Sequence, residues 1–500
     1  MTSKPPAVAR KPNVPSVRRL AALRTVVQGL FALSLVLALA THSNNWRVGP
    51  LTWLPILHLG PLLPTRFLAA NMQQAPMAIG VLTLLPLALG GSWMLLRILE
   101  ARTPGQRRPW RWGWPAFTWP LLGLTGLALL SAATQALDTR PPGLSPPQVL
   151  AVGSLALVWL VYLFVVNEQP RLAWPLAAVV TVQGLVAVAQ FSVQRELGLG
   201  VLGEISLDPA TGGTSVLLVD NVRWLRAYGL TGHPNLLGAL LALAMLLLLP
   251  DLAAARGVRR VVLSMVLVVG LLGLLATVSR AAWLAFGLGA ALFVLAMWRQ
   301  ARDDDAVRPA APRRVSHWVD WLPVAALGGA GLAFLALYSR QLASRFLSLD
   351  SVIEARSLFE RGRDAAIALR LLSQHPWQGV GFGNYVPSAR ALDPAARIVH
   401  NAPLLALAEL GLPGGLCWAW LTLAPFVAAG RASLRGDTRL LPHLAPWLAL
   451  VVMSLWHPLP WFSAGWRSTV LLALLMGVWA NAVRPPEQAV EATGFRESSP

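Results

Sequence analysis

Residues 261–298 read VVLSMVLVVGLLGLLATV (261–278), SR (279–280) and AAWLAFGLGAALFVLAMW (281–298). These are two uncharged apolar runs divided by one serine and one arginine. A helix needs about 20 apolar residues to cross the hydrocarbon core of a bilayer, and in lipid every backbone polar group must be satisfied within the segment. The pair therefore reads as a helical hairpin through a membrane. With almost no loop between the runs, Thr277-Val278-Ser279-Arg280 is held at the membrane boundary.

Outward from this hairpin the pattern repeats. Apolar runs lie at Thr25–Thr41, Met77–Leu96, Phe117–Leu137, Val149–Val166, Leu172–Phe191, Leu236–Leu249, Val261–Val278, Ala281–Trp298, Trp318–Tyr338, Leu404–Ala429, Leu444–Trp456 and Ser468–Val483. In a 500-residue chain that is 55% hydrophobic and 13% charged, with mean hydropathy +0.57, this excludes a soluble multidomain protein. The expectation is an all-α polytopic membrane protein with about twelve transmembrane helices across residues 25–484 and two large external loops, about 192–235 and 339–402. The first run is read as an uncleaved anchor because a long polar tail precedes it. Residues 1–24, basic, and 485–500, rich in Pro and charge, are expected to be disordered tails.

Placing the N-terminus in the cytoplasm puts Arg97, Arg102 and Arg107, then Arg256, Arg259 and Arg260, then Arg299 and Arg302, then Arg431, Arg435 and Arg439 inside as well. Both termini are then cytoplasmic. The arginines left outside, Arg223, Arg226, Arg280 and the set from Arg340 to Arg397, break the trend and need another reason. A net charge of +19 would suit nucleic acid, but the basic residues are scattered between apolar runs, so no nucleic acid partner is expected. Membrane lipids are. The single Cys417 excludes an intrachain disulfide, and dispersed histidines give no metal-ligand spacing, so no metal and no cofactor are expected.

The external polar residues gather at helix starts. Arg226 leads into His233-Pro234-Asn235, where proline suits a first helical turn whose positive end could meet an anion; a snorkelling arginine on a capped helix is the plainer alternative. Arg280 either anchors a helix end or serves a site at the external boundary. His400-Asn401 precedes the run from Leu404: partial burial would keep the imidazole neutral and able to accept a proton, with Asn401 capping the helix. His375-Pro376 repeats the ambiguity farther from the membrane edge. Residues 357–372 read as a helix with Leu358, Ala365, Leu369 and Leu372 on one face. Gly379-Val-Gly381-Phe-Gly383 does not join a strand to a helix, so it is no dinucleotide fingerprint; its glycines suit close backbone packing.

Taken together, Arg226-x-x-Gly229-x-x-x-Pro234-Asn235, Ser279-Arg280, Arg361, His375-Pro376-x-x-Gly379-Val-Gly381-Phe-Gly383-Asn384, and His400-Asn401 with Glu409-Leu-Gly411 resemble the O-antigen ligase and polymerase family. The resemblance implies a metal-independent, inverting glycosyltransferase of the bacterial inner membrane. It would take a glycan from an undecaprenyl-pyrophosphate-linked donor and pass it to a hydroxyl of a lipid, glycan or protein acceptor on the external face. His400 would serve as base, and Arg226 and Arg280 would grip the pyrophosphate. Arg223, Arg361, Asn401, His375 and His233 would contact substrate, Arg223 and Arg361 alternatively ordering the loops. O-antigen polymerase and protein O-oligosaccharyltransferase stand beside ligase. A solute transporter is the competing class, but it would place ionisable residues at the bilayer midplane, where these runs carry almost none.

Overall fold

A computed structural model describes residues 14–41, 81–138, 144–211, 213–220, 222–307, 322–347 and 352–484. Among them run α1 (Val14–Ala40), α2 (Val81–Arg102), α3 (Pro115–Asp138), α4 (Pro146–Glu168), α5 (Ala173–Val193), a hairpin of β1 (Val216–Val219) and β2 (Val222–Leu225), then α6 (Pro234–Ala254), α7 (Gly257–Ala276), α8 (Arg280–Val307), α9 (Leu322–Leu337), α10 (Ser339–Leu347), α11 (Val352–Gln374), α12 (Tyr385–Leu392), α13 (Ala402–Leu434), α14 (Leu444–Trp456) and α15 (Trp466–Ala482). The protein is an all-α polytopic membrane protein. Each expected run falls on one of these helices. Eight of them, α1, α3 to α8 and α13, are long and apolar enough to cross a membrane, while α9, α14 and α15 are shorter apolar helices.

Two expectations need correction. The first helix begins at Val14, so residues 14–24 are helical rather than part of a disordered tail. Arg24 explains why: its guanidinium bonds Glu100 and lies 3.5 Å from Glu168, and Arg97 approaches the same two acids. A basic residue that finds buried carboxylates needs no aqueous tail. The two large segments expected as external loops also carry regular structure, the first the hairpin and the second α10, α11 and α12. Residues 1–13, 485–500, 77–80, 318–321 and the segment Leu51–Ala75 lie outside the described residues.

Packing rests on small residues and large aromatics. α5 packs on α7, α4 on α15, α8 on α14 and α3 on α13. A Cβ on Gly273 would lie 2.7 Å from Gly184 Cα, so these glycines set how closely α5 and α7 approach. The indoles of Trp418, Trp447, Trp461 and Trp479 are wholly buried. α6 and α14 do most to position the polar residues at one end of the bundle, because α6 begins and α14 ends among them. α6 starts at His233, whose Nδ1 accepts the Asn235 N–H at 3.1 Å, with Pro234 in the first turn.

Candidate active site

The α7–α8 corner is a backbone device. α7 ends where Thr277 Oγ1 bonds the Leu274 carbonyl at 2.6 Å, and Val278 comes next at φ +46°, a left-handed conformation that a β-branched residue adopts at a cost of about 1–3 kcal/mol. The strained turn places Arg280 as the first residue of α8. Arg226, leaving β2, locks onto this corner. It is 4% exposed, and it donates from Nε to the Thr277 carbonyl (2.8 Å), from Nη1 to Ser215 Oγ (2.9 Å) and from Nη2 to Asn235 Oδ1 (2.8 Å). Ala227 N–H bonds the Ala276 carbonyl at 3.0 Å beside it. One guanidinium thus ties the hairpin, the α6 start and the α7–α8 turn together, without a carboxylate. Burial pushes its pKa down to about 10, and the charges of Arg361 and Arg280 add to this.

Three histidines converge beside the corner. The His457 ring centroid lies 6.3 Å from that of His233 and 6.1 Å from that of His400. They come from the start of α6, the end of α14 and the residue two before α13. His233 is exposed and His400 and His457 are half-buried, so solvent reaches the recess between them. The surrounding protein holds the pKa of each below the ordinary histidine range, with Arg361 acting in the same direction on all three and Arg226 on His233. For His233, open on one face, water tempers that shift. His400 Nδ1 is buried and bonded to nothing among the described residues. The result is a neutral imidazole at neutral pH with a polar atom still to be satisfied.

Arg361 reaches this group from α11. It is half-buried, no carboxylate pairs with it among the described residues, and Arg280 stands close enough to lower its pKa after burial. Its neighbours on the helix are spent differently. Arg363 bonds Asp364 at 2.9 Å, the Ala395 carbonyl at 2.8 Å and approaches Asp393 at 3.5 Å, while Arg397 lies 3.9 Å from Glu360. Asp364 is buried and accepts the Arg397 backbone N–H at 3.4 Å. This network fastens α11 to the strand of chain that delivers His400. The buried face of α11 accordingly runs through Asp364, Ala368 and Leu371, whereas Leu358 and Leu369, expected on the apolar face, are exposed. A paired aspartate is as good an inward residue as a leucine.

The glycine-rich segment is the second fastening. α13 is interrupted at Gly411 (φ 66°, ψ −165°), and residues 376–385 thread across the break. Leu412 N–H bonds the Pro376 carbonyl (2.8 Å), Val380 N–H the Ala408 carbonyl (2.9 Å) and Gly381 N–H the Glu409 carbonyl (2.9 Å). At Gly379, φ +65°, a Cβ would stand 2.4 Å from the Glu409 carbonyl group, so glycine is required both by conformation and by space. The buried Glu409 carboxylate closes the joint, accepting from Trp461 Nε1 and Ser463 Oγ, each at 2.8 Å, and from the backbone amides of Gly383 and Tyr385.

Not every expected residue enters the recess. His375 is exposed at the end of α11 and shares no contact with the three histidines. Arg223 is exposed and donates to the Pro209 and Thr211 carbonyls, which orders the loop before β1. Asn401 caps α13 through Oδ1 to Leu404 N–H (2.8 Å) and ties it to the Leu455 carbonyl through Nδ2 (3.1 Å), so its amide is used in joining α13 to α14. Sequence reasoning misses His457. A signal for it exists: like His233 and His375 it precedes a proline, and it stands directly after an apolar run at the same face. Among the described residues no group of three or more His, Cys, Asp or Glu side chains is arranged to hold a metal ion.

A sequence model of the O-antigen ligase family matches residues 265–419, from within α7 to within α13. Over that segment the chain is similar to the O-antigen ligase family. The apolar helices make the chain a multi-pass membrane protein, similar over the matched segment to proteins described as O-antigen ligases. The O-antigen ligase match contains Arg280, Arg361, His400 and Glu409 and leaves Arg226, His233 and His457 outside it. The recess is therefore assembled from the matched segment and from helices on either side. No curated protein matches the chain.

Proposed function

We propose that the protein transfers a glycan from undecaprenyl pyrophosphate to an acceptor hydroxyl at the external face of the bacterial inner membrane, inverting the anomeric centre. What supports this most is a neutral His400, its Nδ1 buried without a partner among the described residues, beside Arg361, which in turn stands near Arg280 and Arg226. The acceptor oxygen attacks the anomeric carbon and its proton passes to the His400 imidazole. The bond from that carbon to the pyrophosphate oxygen breaks, and its electron pair stays on pyrophosphate. Arg280 and Arg361 take up that charge. Arg226, with its N–H groups committed to three neutral acceptors, acts by fixing the corner that carries Arg280 and by its own charge. His233 and His457 fill the wall opposite and limit how His400 turns.

The test is transfer in liposomes by purified protein, given polyprenyl-pyrophosphate-linked glycan and, in separate arms, lipid, glycan and protein acceptors. Transfer by the wild type that is lost in His400→Ala supports the reading, and the productive acceptor names ligase, polymerase or protein transferase. A folded wild type that binds donor yet transfers to no acceptor would sink it and favour transport.

A further inference from the structure

α6 and α14 each connect the recess to a second cavity. α6 has 21 residues, so at about 1.5 Å per residue its far end lies roughly 30 Å from His233. That is about the thickness of the hydrocarbon core. Around this far end opens a cavity of about 680 Å³, bounded by the starts of α5, α7 and α14 and the ends of α6 and α15. The volume is that of a small-molecule site, between about 300 and 1,000 Å³.

Its chemistry is divided. Arg171 stands at the start of α5 and Arg259 at the start of α7, with His443 just ahead of α14. Asp251 neutralises one of these cations, lying 2.6 Å from Arg259, which leaves the Arg171 charge uncompensated within the lining. The three helix starts add partial positive charge. The remaining wall is apolar, with Trp447 and Trp479 among its residues. Trp174, more than half exposed, is the tryptophan of the lining that keeps accessible surface.

We infer that this cavity holds the phosphate headgroup of one anionic phospholipid from the leaflet opposite the recess, its chains lying against the apolar wall. Basic pockets between membrane helices are suited to such headgroups. A free phosphate would satisfy Arg171 but leave the apolar part of the lining uncovered, whereas a zwitterionic lipid would bring a cation to the arginines. The inference does not depend on the transfer reaction, and its test reads lipid binding alone.

The experiment is native mass spectrometry of the purified protein in detergent, titrated with phosphatidylglycerol, phosphatidylcholine or inorganic phosphate. Expected is one saturable phosphatidylglycerol, not displaced by millimolar phosphate, with phosphatidylcholine bound far less. Arg171→Gln should weaken phosphatidylglycerol about fivefold, and Arg171→Gln with Arg259→Gln about tenfold or more. Leu247→Trp, which fills the cavity without removing charge, should abolish the bound lipid and guards against loss through misfolding of the arginine variants. Equal retention of phosphatidylglycerol by the wild type and Leu247→Trp, or equal binding of both lipids, would overturn the inference. So would full competition by inorganic phosphate, which would make the site one for a small anion.

Discussion

At the scale of single residues, the arginines divide by what already satisfies them. Arg363 and Arg361 are two positions apart on α11, yet the first is held by Asp364 and Asp393 and the second has no acid partner among the described residues. Replacing Arg361 by Gln should lower transfer about 10²-fold or more, the usual loss when a charge-stabilising donor is removed from a reaction site. Arg363→Gln should chiefly lower thermal stability and leave turnover by the folded fraction near normal. Equal kinetic losses in both would contradict the division. His400→Ala should cost about 10²- to 10⁴-fold as a lost general base. The pH profile carries the same information. Because protein around His400 and the charge of Arg361 depress its pKa, the base stays unprotonated down to below the ordinary 6.5, so the acid limb of activity should fall below that value. Stability shifts in the same direction. The unfolded chain binds protons at His400 and His457 near pH 6.5 while the folded chain resists them, so stability present at pH 7 is lost as pH falls through the depressed values. Thermal unfolding at pH 7 and pH 5 checks it, and a higher midpoint at pH 5 would reverse the reading.

At the scale of elements, the joint between α13 and residues 376–385 decides whether His400 is held still. Gly379→Ala forces a side chain against the Glu409 carbonyl at a positive φ and should destabilise the protein by about 1–3 kcal/mol, with activity falling alongside. Gly362→Ala is the control: it lies in α11 with nothing within 4 Å of the added Cβ, so it should be neutral or slightly stabilising. Thermal unfolding of the two variants separates them. The helices themselves are legible in the sequence because apolar runs of spanning length have few other uses. The joint is only half legible: the glycines signal close packing, but nothing local says that Glu409, inside an apolar run, is the residue they pack upon. The recess is legible where a polar residue stands at the edge of a run, as with His400, Arg280 and His233. Asp364 is not, because pairing with Arg363 turns an acid inward against the periodicity. The sequence presents Arg226 as a ligand for anions, and only its three neutral acceptors show how far it also serves as a fastening.

For the whole molecule, the arrangement requires the recess and the second cavity to face opposite sides of the membrane. In a Cys417→Ala background, Arg397→Cys on the recess side and Arg435→Cys beyond α13 should react with an impermeant maleimide in complementary fashion, the first in intact cells once the outer membrane is opened, the second only after lysis. Labelling of both in intact cells would break the topology.

The corner where Arg226 meets Thr277 has a further bearing on how the protein comes into being. Its parts, and the histidines beside it, arrive from the ribosome in the order 226, 233, 280, 361, 400 and 457, so the recess is completed only by the end of α14. A nascent chain stalled before that point has its arginines in place but lacks the last imidazole wall. Completion of the recess is thereby tied to nearly complete insertion of the chain.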